Sequence, residues 1–327
     1  MRILFVTATR IGDAVLSTGL LSYVVERFPG ARLTIAAGPV AAPLFEAVPG
    51  LDRVLVLQKR RWQLHWLSLY AHAARHRWDL VVDLRGSALA WLVRAGERRV
   101  MAKGDAREHR VQQLGRLFDL DPPPSPQLWM GPRHESAAAA RLPPGPPVLA
   151  IGPAANWRGK QWRAERFAEL ACRLTATDGP LPGARIAVLA AAHERAQAAP
   201  MLAASAPGGV IDLVGRTDLL TAAAVLRRAA LFIGNDTGLM HIAAAVGTPT
   251  LGLFGPSPVE QYAPWGSCTA VACTALRGEA LYGPDYHHRT TDTLMDSLSV
   301  EMAEAAAREL WCRVADEPAP VAARAAR

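Results

Sequence analysis

The sequence predicts an α/β fold with two doubly wound, Rossmann-like domains, each containing a parallel sheet with helices on both faces. Three observations support this prediction. Short apolar runs alternate with amphipathic helical segments, a proline-rich stretch interrupts the alternation near residue 120, and the alternation then resumes. Strands covered by helices on both faces form parallel sheets. We therefore expect two such sheets that face each other across a cleft, with ligands outside the carboxyl ends of their strands.

The first half opens with the buried strand RILFVTA, and the helix after it places Leu16, Leu20 and Val24 on one face until a Pro-Gly pair ends it. The remaining elements of this half alternate between strand and helix patterns. In chain order they are a strand (RLTIAAG), a short helix (VAAPLFEAVPG), a strand (RVLVLQ), a helix (WLSLYAHAARHR) and a strand (LVVDLRG).

Residues 121–147 contain DPPPSPQ and RLPPGPP, which are typical of an inter-domain linker. We therefore predict an N-terminal domain over residues 1–145 and a C-terminal domain over residues 146–315, followed by a disordered tail over 316–327. The second half again alternates between strands and helices. Its strands are VLAIGPA, RIAVLAA, GVIDLVG, LFIGND and TPTLGLFG, and its helices are RAERFAELACRLTA, HERAQAAPMLAAS, LLTAAAVLRRA, TGLMHIAAAVG and a last one over about 299–313.

Composition restricts the class of protein. The chain has 327 residues, 50% of them hydrophobic, and a formal net charge of +7. This charge suits a nucleic acid, an acidic membrane surface or a phosphorylated substrate, although solvated arginines alone would also produce it. The sequence contains no helix-turn-helix, RNP or zinc signature, and its basic residues are spread over both halves, so we expect no nucleic-acid partner.

Cysteines and hydropathy indicate the compartment. The four cysteines form no C-x-x-C pair, which argues against a zinc site and favours a reducing environment. The apolar run at the N-terminus is too short for a signal peptide, and no stretch approaches the roughly 20 apolar residues of a membrane span. We expect a cytoplasmic protein that can touch a membrane surface, with no metal and no cofactor.

The stretch GNDTGLMHIAAA is the first candidate site, because it joins a buried strand to a helix. The N–H groups at a helix start attract anions, and Gly238 lets a ligand approach the backbone. The Thr237 hydroxyl and the His241 ring can donate to the same anion. Asp236 would repel a phosphate but can accept hydroxyl hydrogens, so the combination predicts a sugar diphosphate. The alternative is that Asp236 only caps the helix and His241 only packs.

Two further loops follow strands. Lys160 and Arg158 in ANWRGKQW come after the first strand of the second half, where a lysine can pair with a diphosphate. Asp13 in TATRIGDAVLS follows the first strand of the chain, where a carboxylate can act as a general base. The alternatives are an exposed basic loop and a helix cap. Neither a G-x-x-x-x-G-K-[ST] nor a G-x-G-x-x-G pattern is present.

The motifs RIGDAVLSTGLL, NWRGKQW and GNDTGLMHIAAAVGTPTLGLFGPSPVEQYAPWG occur in this order and resemble glycosyltransferase family 9, the ADP-heptose:lipopolysaccharide heptosyltransferases. The resemblance runs to about residue 312. It implies a GT-B fold and an inverting, metal-independent transfer of heptose from ADP-heptose to a lipid A-linked core acceptor. The alternatives are another nucleotide sugar, or a basic protein that binds nucleotide or nucleic acid without catalysis.

The resemblance also implies roles for individual residues. Asp13 would be the catalytic base, although Gly19 stands where the first motif usually has a proline, which predicts a slightly looser helix. Glu194 would reach the ribose, but alanines replace the glycines that often precede it, and Thr217 would line the base pocket. The residues implied to hold the donor's sugar and diphosphate are Lys160, Asp236, Thr237, Gly238, Leu239 and His241.

The acceptor is expected to bind to the first half. Lys59, Arg60 and Arg61 form a basic run beside Trp62 and Trp66. Cations suit phosphates on a lipid-linked saccharide, and aromatic rings suit sugars or a membrane interface. A solvated basic loop beside core aromatic residues is the alternative. Arg98, Arg99 and Lys103 are predicted to extend this basic surface.

Overall fold

The computed structural model describes residues 1–58, 64–102, 104–105, 107–204, 206, 208–276, 278–282, 286–287 and 290–316. The chain divides into two compact units, Met1–His134 and Glu135–Arg327. Among the described residues, no helix combines the length and the apolar character needed to cross a bilayer.

The first unit is built on a five-stranded parallel sheet in the order β3-β2-β1-β4-β5. Its strands are β1 (Arg2–Val6), β2 (Arg32–Ala37), β3 (Leu51–Val56), β4 (Arg77–Asp83) and β5 (Arg94–Val100). Its helices are α1 (Ile11–Leu16), α2 (Thr18–Arg27), α3 (Leu64–Ala73), α4 (Leu89–Leu92) and α5 (Arg110–Gly115), with α6 (Pro132–Arg141) crossing the boundary between the units. The described residues of this unit also form two 3₁₀ turns, Ala42–Phe45 and Arg116–Phe118.

The helix predicted after β1 is divided in two at Ser17. The Ser17 hydroxyl donates to the Ala14 carbonyl (2.7 Å) and lies 2.8 Å from the hydroxyl of Thr7. A serine that bonds back to the preceding turn competes with the helical hydrogen-bond pattern, and this accounts for the interruption.

Gly19 in α2 has a packing role that the sequence did not reveal. A Cβ at this position would lie 2.2 Å from the Pro124 carbonyl oxygen, so the missing side chain lets the proline-rich segment lie against the helix. The backbone N–H of Gln127 donates to the Thr18 hydroxyl at 3.1 Å and fixes the same contact. The expected looser helix is therefore replaced by close backbone packing.

The second unit contains a six-stranded parallel sheet in the order β11-β10-β9-β6-β7-β8. Its strands are β6 (Val148–Gly152), β7 (Arg185–Val188), β8 (Val210–Asp212), β9 (Leu231–Asn235), β10 (Thr250–Phe254) and β11 (Thr269–Cys273). Its helices are α7 (Ala164–Thr175), α8 (Arg195–Leu202), α9 (Leu219–Leu226), α10 (Gly238–Ala245), α11 (Val259–Tyr262) and α12 (Val300–Asp316). The central strands β6, β9 and β10 are completely buried.

Both sheets have the doubly wound order, so the α/β prediction is confirmed for each unit. The strand order reverses between β1 and β4 in the first sheet and between β6 and β9 in the second. Ligands of such sheets bind outside the carboxyl ends of the strands at this reversal. The loops that follow these strands are therefore expected to form the ligand-binding site.

Some elements were not predicted. The edge strand β5 (RAGERRV) is half or fully exposed, so it lacks the apolar run that marks a buried strand. Strand β11, at one edge of the second sheet, is partly exposed. Part of the stretch predicted as a linker forms α6, and the last helix continues through Asp316 instead of ending near Arg313. Residues 317–327 of the predicted tail lie outside the described residues.

Candidate active site

The Lys160 loop follows β6 at the switch point of the second sheet. Residues Arg158–Lys160 form a 3₁₀ turn between β6 and α7. The Lys160 side chain is 19% exposed, and its ammonium donates to Asp236 Oδ2 at 3.1 Å. The lysine is therefore directed at the end of β9 and is not part of an ordinary exposed basic loop.

Asp236 lies one residue beyond β9, and its side chain is only 10% exposed. Its carboxylate contacts Lys160 through Oδ2, and its Oδ1 lies 3.8 Å from His241 Nε2 in the first turns of α10. The N-cap of α10 is Thr237, so the alternative that Asp236 caps this helix is wrong. The structure brings together an ammonium, a carboxylate and an imidazole, which we call the Lys160–Asp236–His241 cluster.

The start of α10 borders this cluster. Thr237 at the N-cap makes no side-chain capping hydrogen bond, and Thr237, Gly238 and Leu239 are partly exposed. The Leu239 side chain packs toward Gly152 of β6. The first N–H groups of a helix point out of its end and lack intrahelical acceptors. This helix start can receive an anion, with the Thr237 hydroxyl as an additional donor.

Asn235 joins the two loops of the site and was missed from the sequence. It is completely buried as the last residue of β9. Its Oδ1 accepts the Trp162 backbone N–H at 2.9 Å, and its Nδ2 donates to the Pro153 carbonyl at 2.8 Å. The asparagine fixes both ends of the Lys160 loop against β9. The sequence does contain a signal for this role, namely an asparagine at the end of an apolar strand.

A second segment, residues 292–298, holds the Lys160 loop from the other side. The Leu294 backbone N–H donates to the Gly159 carbonyl at 2.9 Å. The Thr293 hydroxyl donates to the Gln161 carbonyl at 2.5 Å, so the carbonyls on both sides of Lys160 are occupied. The Trp162 indole N–H donates to the Leu298 carbonyl at 2.8 Å, although these partners are 136 residues apart.

Charges reinforce this attachment. The Arg158 guanidinium donates to Asp292 at 2.8 Å, and Arg163 binds both oxygens of Asp296 at 2.6 Å. The hydrogen bond from Arg163 lowers the pKa of the Asp296 carboxyl against the opposing effect of burial. The pKa of Asp292 is lowered first by the backbone N–H of Thr293 and then by Arg158. No sequence motif marked these carboxylates.

Glu194 and Thr217 lie further along the same edge of the sheet, after β7 and β8. Glu194 Oε2 accepts the backbone N–H of Ala191 at 2.8 Å and closes a short 3₁₀ turn. Thr217 is partly exposed and immediately precedes Asp218, the N-cap of α9. Neither residue belongs to the Lys160–Asp236–His241 cluster, and their roles toward ribose and base stay predictions.

Asp13 occupies the corresponding position in the first unit. It is the third residue of α1, which follows β1 beside the reversal of strand order. The N-cap of α1 is Arg10, so the alternative that Asp13 is the capping residue is wrong. Its side chain is partly exposed at the carboxyl edge of the sheet, which a general base requires.

Asp83 ends β4 beside the same reversal and was not identified from the sequence. It is completely buried. Its carboxylate accepts the backbone N–H groups of Arg85 and Ser87, both at 2.9 Å, and the Ser87 hydroxyl at 2.5 Å. Because these donors occupy both of its oxygens, Asp83 shapes the loop after β4. Lys59, Arg60 and Arg61, predicted to bind the acceptor, lie outside the described residues, as do Trp62 and Lys103.

Known proteins resemble this chain over most of its length. The profile of Glycosyltransferase family 9 (heptosyltransferase) matches residues 52–279, which include Lys160 and Asp236 but not Asp13. Lipopolysaccharide heptosyltransferase 1 of Pseudomonas aeruginosa is 28% identical over 294 residues, 79% of each chain.

Solved structures share the fold. A glycosyl transferase family 9 protein from Veillonella parvula aligns with a TM-score of 0.74 at 20% identity, covering 95% of this chain and 97% of its own. The E. coli heptosyltransferase WaaC, solved with ADP, aligns with a TM-score of 0.71 at 19% identity, covering 95% and 100%. The predicted GT-B class is thereby confirmed.

The site and the comparisons agree. A buried lysine–carboxylate–imidazole cluster lies beside an open helix start at the switch point of a doubly wound sheet, within the part of the chain that the family profile matches. The chain therefore belongs to glycosyltransferase family 9, the heptosyltransferase family, and is a glycosyltransferase.

Proposed function

We propose that this enzyme transfers heptose from ADP-heptose to a lipid A-linked core acceptor of lipopolysaccharide, with inversion at the anomeric carbon. The observation that carries the proposal is the Lys160–Asp236–His241 cluster beside the exposed start of α10. It offers positive charge for a diphosphate and an acceptor for sugar hydroxyls within a few ångströms. The solved relative that contains ADP and the lipopolysaccharide heptosyltransferase of Pseudomonas aeruginosa support the choice of donor and acceptor.

Each group of the site has a proposed role toward the donor. The α10 N–H groups, the Thr237 hydroxyl and the Lys160 ammonium bind the diphosphate, because all three carry hydrogens that phosphate oxygens accept. Asp236 accepts hydrogens from the heptose hydroxyls, and His241 donates to the diphosphate. Glu194 binds the ribose and Thr217 lines the pocket of the base.

In the proposed reaction, the acceptor hydroxyl oxygen attacks the anomeric carbon from the face opposite the diphosphate. The bond from this carbon to the diphosphate oxygen breaks, and its electron pair leaves with ADP. The hydroxyl proton passes to the Asp13 carboxylate. Lys160 and the helix start stabilise the charge that grows on the departing diphosphate, so they act in the transition state more than in the bound donor. A metal ion is not required for any of these steps.

A transfer assay tests the donor and the acceptor separately. The purified enzyme is incubated with a lipid A-linked core acceptor and with ADP-heptose, UDP-sugars or GDP-sugars in parallel, and release of the nucleoside diphosphate is followed. We expect turnover with ADP-heptose and an unchanged rate after treatment with a chelator. Turnover only with a UDP- or GDP-sugar would replace the proposed donor, and product with retained anomeric configuration would contradict the mechanism.

Membrane contact through the first unit is part of the proposal. Helices α3 and α4 contact each other and expose a group of large apolar side chains, Leu67, Tyr70, Trp91 and Leu92. Trp91 is 68% exposed, and the Arg98 guanidinium lies 6.0 Å from the centre of its ring. Exposed aromatic and apolar side chains beside a partly buried guanidinium favour a membrane interface. Lys59, Arg60 and Arg61 are proposed to bind acceptor phosphates in the same domain.

Flotation with vesicles tests this surface. We propose that the enzyme works as a monomer at the cytoplasmic face of the inner membrane. The double substitution of Trp91 and Leu92 by serine should reduce binding to vesicles that contain anionic lipid. Met302→Ser, which removes an exposed apolar residue of α12 in the second unit, is the control. Equal binding by wild type and the double variant would contradict the proposed surface, and sedimentation would test the monomer.

A further inference from the structure

The amino edge of the first sheet carries an unusual concentration of positive charge. Every one of its five strands carries an arginine at or near its first residue, and these are Arg2, Arg32, Arg53, Arg77 and Arg94. This edge is opposite to the carboxyl edge on which Asp13 lies. Five cations along one edge are not explained by the proposed transfer reaction, because that reaction uses the carboxyl ends of the strands.

Three of these arginines line a cavity of about 210 Å³. Arg2, Arg32 and Arg53 come from β1, β2 and β3, and His72 and His76 from α3 and the turn after it. The buried Trp78 ring and Thr34, which is 4% exposed, are also part of the wall. The cavity has room for several water molecules but is smaller than pockets that hold drug-sized ligands, so it suits a phosphate or diphosphate group.

The charge in this cavity is only partly compensated. Asp52 is the carboxylate among the lining residues, and it lies 3.6 Å from Arg32 in an exposed ion pair of the kind that contributes little to stability. The Arg2 guanidinium donates to His76 Nδ1 at 2.8 Å. Because a guanidinium can only donate, Nδ1 of His76 accepts this hydrogen bond. The bond brings no negative charge to Arg2, so the positive charge of Arg2 stays in place.

The end of α3 does not require these cations either. Cations often stabilise the last carbonyls of a helix. Here the Ala73 carbonyl accepts the indole N–H of Trp78 at 2.9 Å and the backbone N–H of His76 at 3.2 Å. The Tyr70 carbonyl accepts the backbone N–H of Ala74 at 2.8 Å. These groups terminate the helix without the arginines, so the arginines are not needed to satisfy the helix end.

We infer that this cavity is a second anion site, specific for a phosphate monoester or diphosphate group and separate from the nucleotide-sugar site. Arg32 and Arg53 provide charged donors on adjacent strands, and Arg2, held by His76, completes the cationic wall. Thr34 has the one hydroxyl among the lining residues. Such a group can belong to a soluble phosphate or to the phosphomonoester headgroup of a lipid, and both present the same oxygens.

Calorimetry with inorganic pyrophosphate tests the site in the full-length protein, with ADP present at saturation to occupy the nucleotide site. We expect one saturable event in the wild type and in Lys160→Ala, whose defect lies in the other site. The double variant Arg32→Gln/Arg53→Gln should bind at least about tenfold more weakly, because each lost hydrogen bond to a charged group contributes strongly to binding. Arg94→Gln, on the same edge but outside the cavity lining, should bind like wild type.

The imidazole of His72 provides a second readout. Its pKa is lowered chiefly by burial and then by the positive charges of Arg53 and Arg75, while Asp52 opposes this effect. A bound anion stabilises the imidazolium, so pyrophosphate should raise the pKa of His72 in an NMR titration. Absence of saturable binding, or equal loss in the double variant and in Arg94→Gln, would overturn the site and leave the proposed transferase activity untouched.

Vesicles distinguish the two sources of the phosphate. Preference for phosphatidic acid over phosphatidylglycerol at equal surface charge, with competition by pyrophosphate, would assign the cavity to a lipid phosphomonoester. Binding of pyrophosphate without any such preference would assign it to a soluble phosphate. Vesicle binding that the double variant retains in full, together with absent pyrophosphate binding, would refute both assignments.

Discussion

The Lys160 ammonium and the Asp236 carboxylate form an ion pair at 3.1 Å, with side chains that are only 19% and 10% exposed. Lysine is a strongly hydrated point charge, so its withdrawal from water requires a fixed partner. Asp236 provides that partner and is itself approached by His241. The pair thus holds the cation proposed to bind phosphate and the carboxylate proposed to bind hydroxyls at one place before the donor arrives.

The ion pair predicts a coupling between stability and function. Lys160→Met or Asp236→Asn alone should lower the free energy of unfolding by about 1–3 kcal/mol, because each leaves a poorly solvated partner. The double variant should recover much of this loss but stay inactive. Denaturant unfolding and ADP-release rates measure the two properties. Additive losses of stability in the double variant would show that the two residues do not interact.

The proposed base predicts a selective loss of turnover. Asp13→Asn keeps the size of the side chain and removes its ability to take a proton, so kcat should fall by about 10²–10⁴-fold. ADP binding, measured by calorimetry, should be unchanged. Asp83→Asn is the contrasting variant, because Asp83 accepts three hydrogen bonds in its own loop and its loss should first appear in stability. An Asp13→Asn enzyme with nearly full activity would exclude this base.

The attachment of the Lys160 loop to residues 292–298 predicts positioning effects from residues outside the cluster. Thr293→Ala removes the hydrogen bond to the Gln161 carbonyl and should raise the KM for the donor several-fold, with a smaller effect on kcat. Thr293→Ser should have the wild-type KM, because serine keeps the hydroxyl that donates to the Gln161 carbonyl. Glu301 lies on α12 and forms an exposed ion pair with Arg173. Glu301→Gln removes this pair and should leave the KM and kcat unchanged. Identical parameters in Thr293→Ala and wild type would contradict the positioning role.

Acid stability should depend on Asp296. The pKa of its carboxyl is lowered in the folded state by Arg163, so the pair stabilises the protein above the ordinary carboxyl pKa, and this contribution disappears as the pH falls through the lowered value. Because the partners are partly exposed, the contribution should be about 0.2–1 kcal/mol. Asp296→Asn should lower the Tm at neutral pH and match wild type at strongly acidic pH. If the Tm of Asp296→Asn is lower than that of wild type by the same amount at neutral and at strongly acidic pH, the loss arises from packing and not from the charge of Asp296.

Much of the site could be predicted from the sequence because its signals are local. A buried apolar strand followed by Asp236, Thr237 and Gly238 marks a strand-to-helix turn, and the loop of Lys160 carries the same signature. These patterns also predicted the alternation of strands and helices. The edge strands β5 and β11 were missed because an exposed strand needs no apolar run.

The sequence by itself determined the alternating α/β pattern, the strand ends that carry Asp13, Lys160 and Asp236, and the resemblance to family 9. Only the tertiary structure decided which distant groups meet. It paired Lys160 with Asp236, bonded the Lys160 loop to residues 292–298, and packed a proline-rich segment against Gly19. The physical reason is that helix and strand periodicities are properties of neighbouring residues, whereas ion pairs and backbone contacts between residues 76 to 136 positions apart depend on strand order, which local periodicity does not encode.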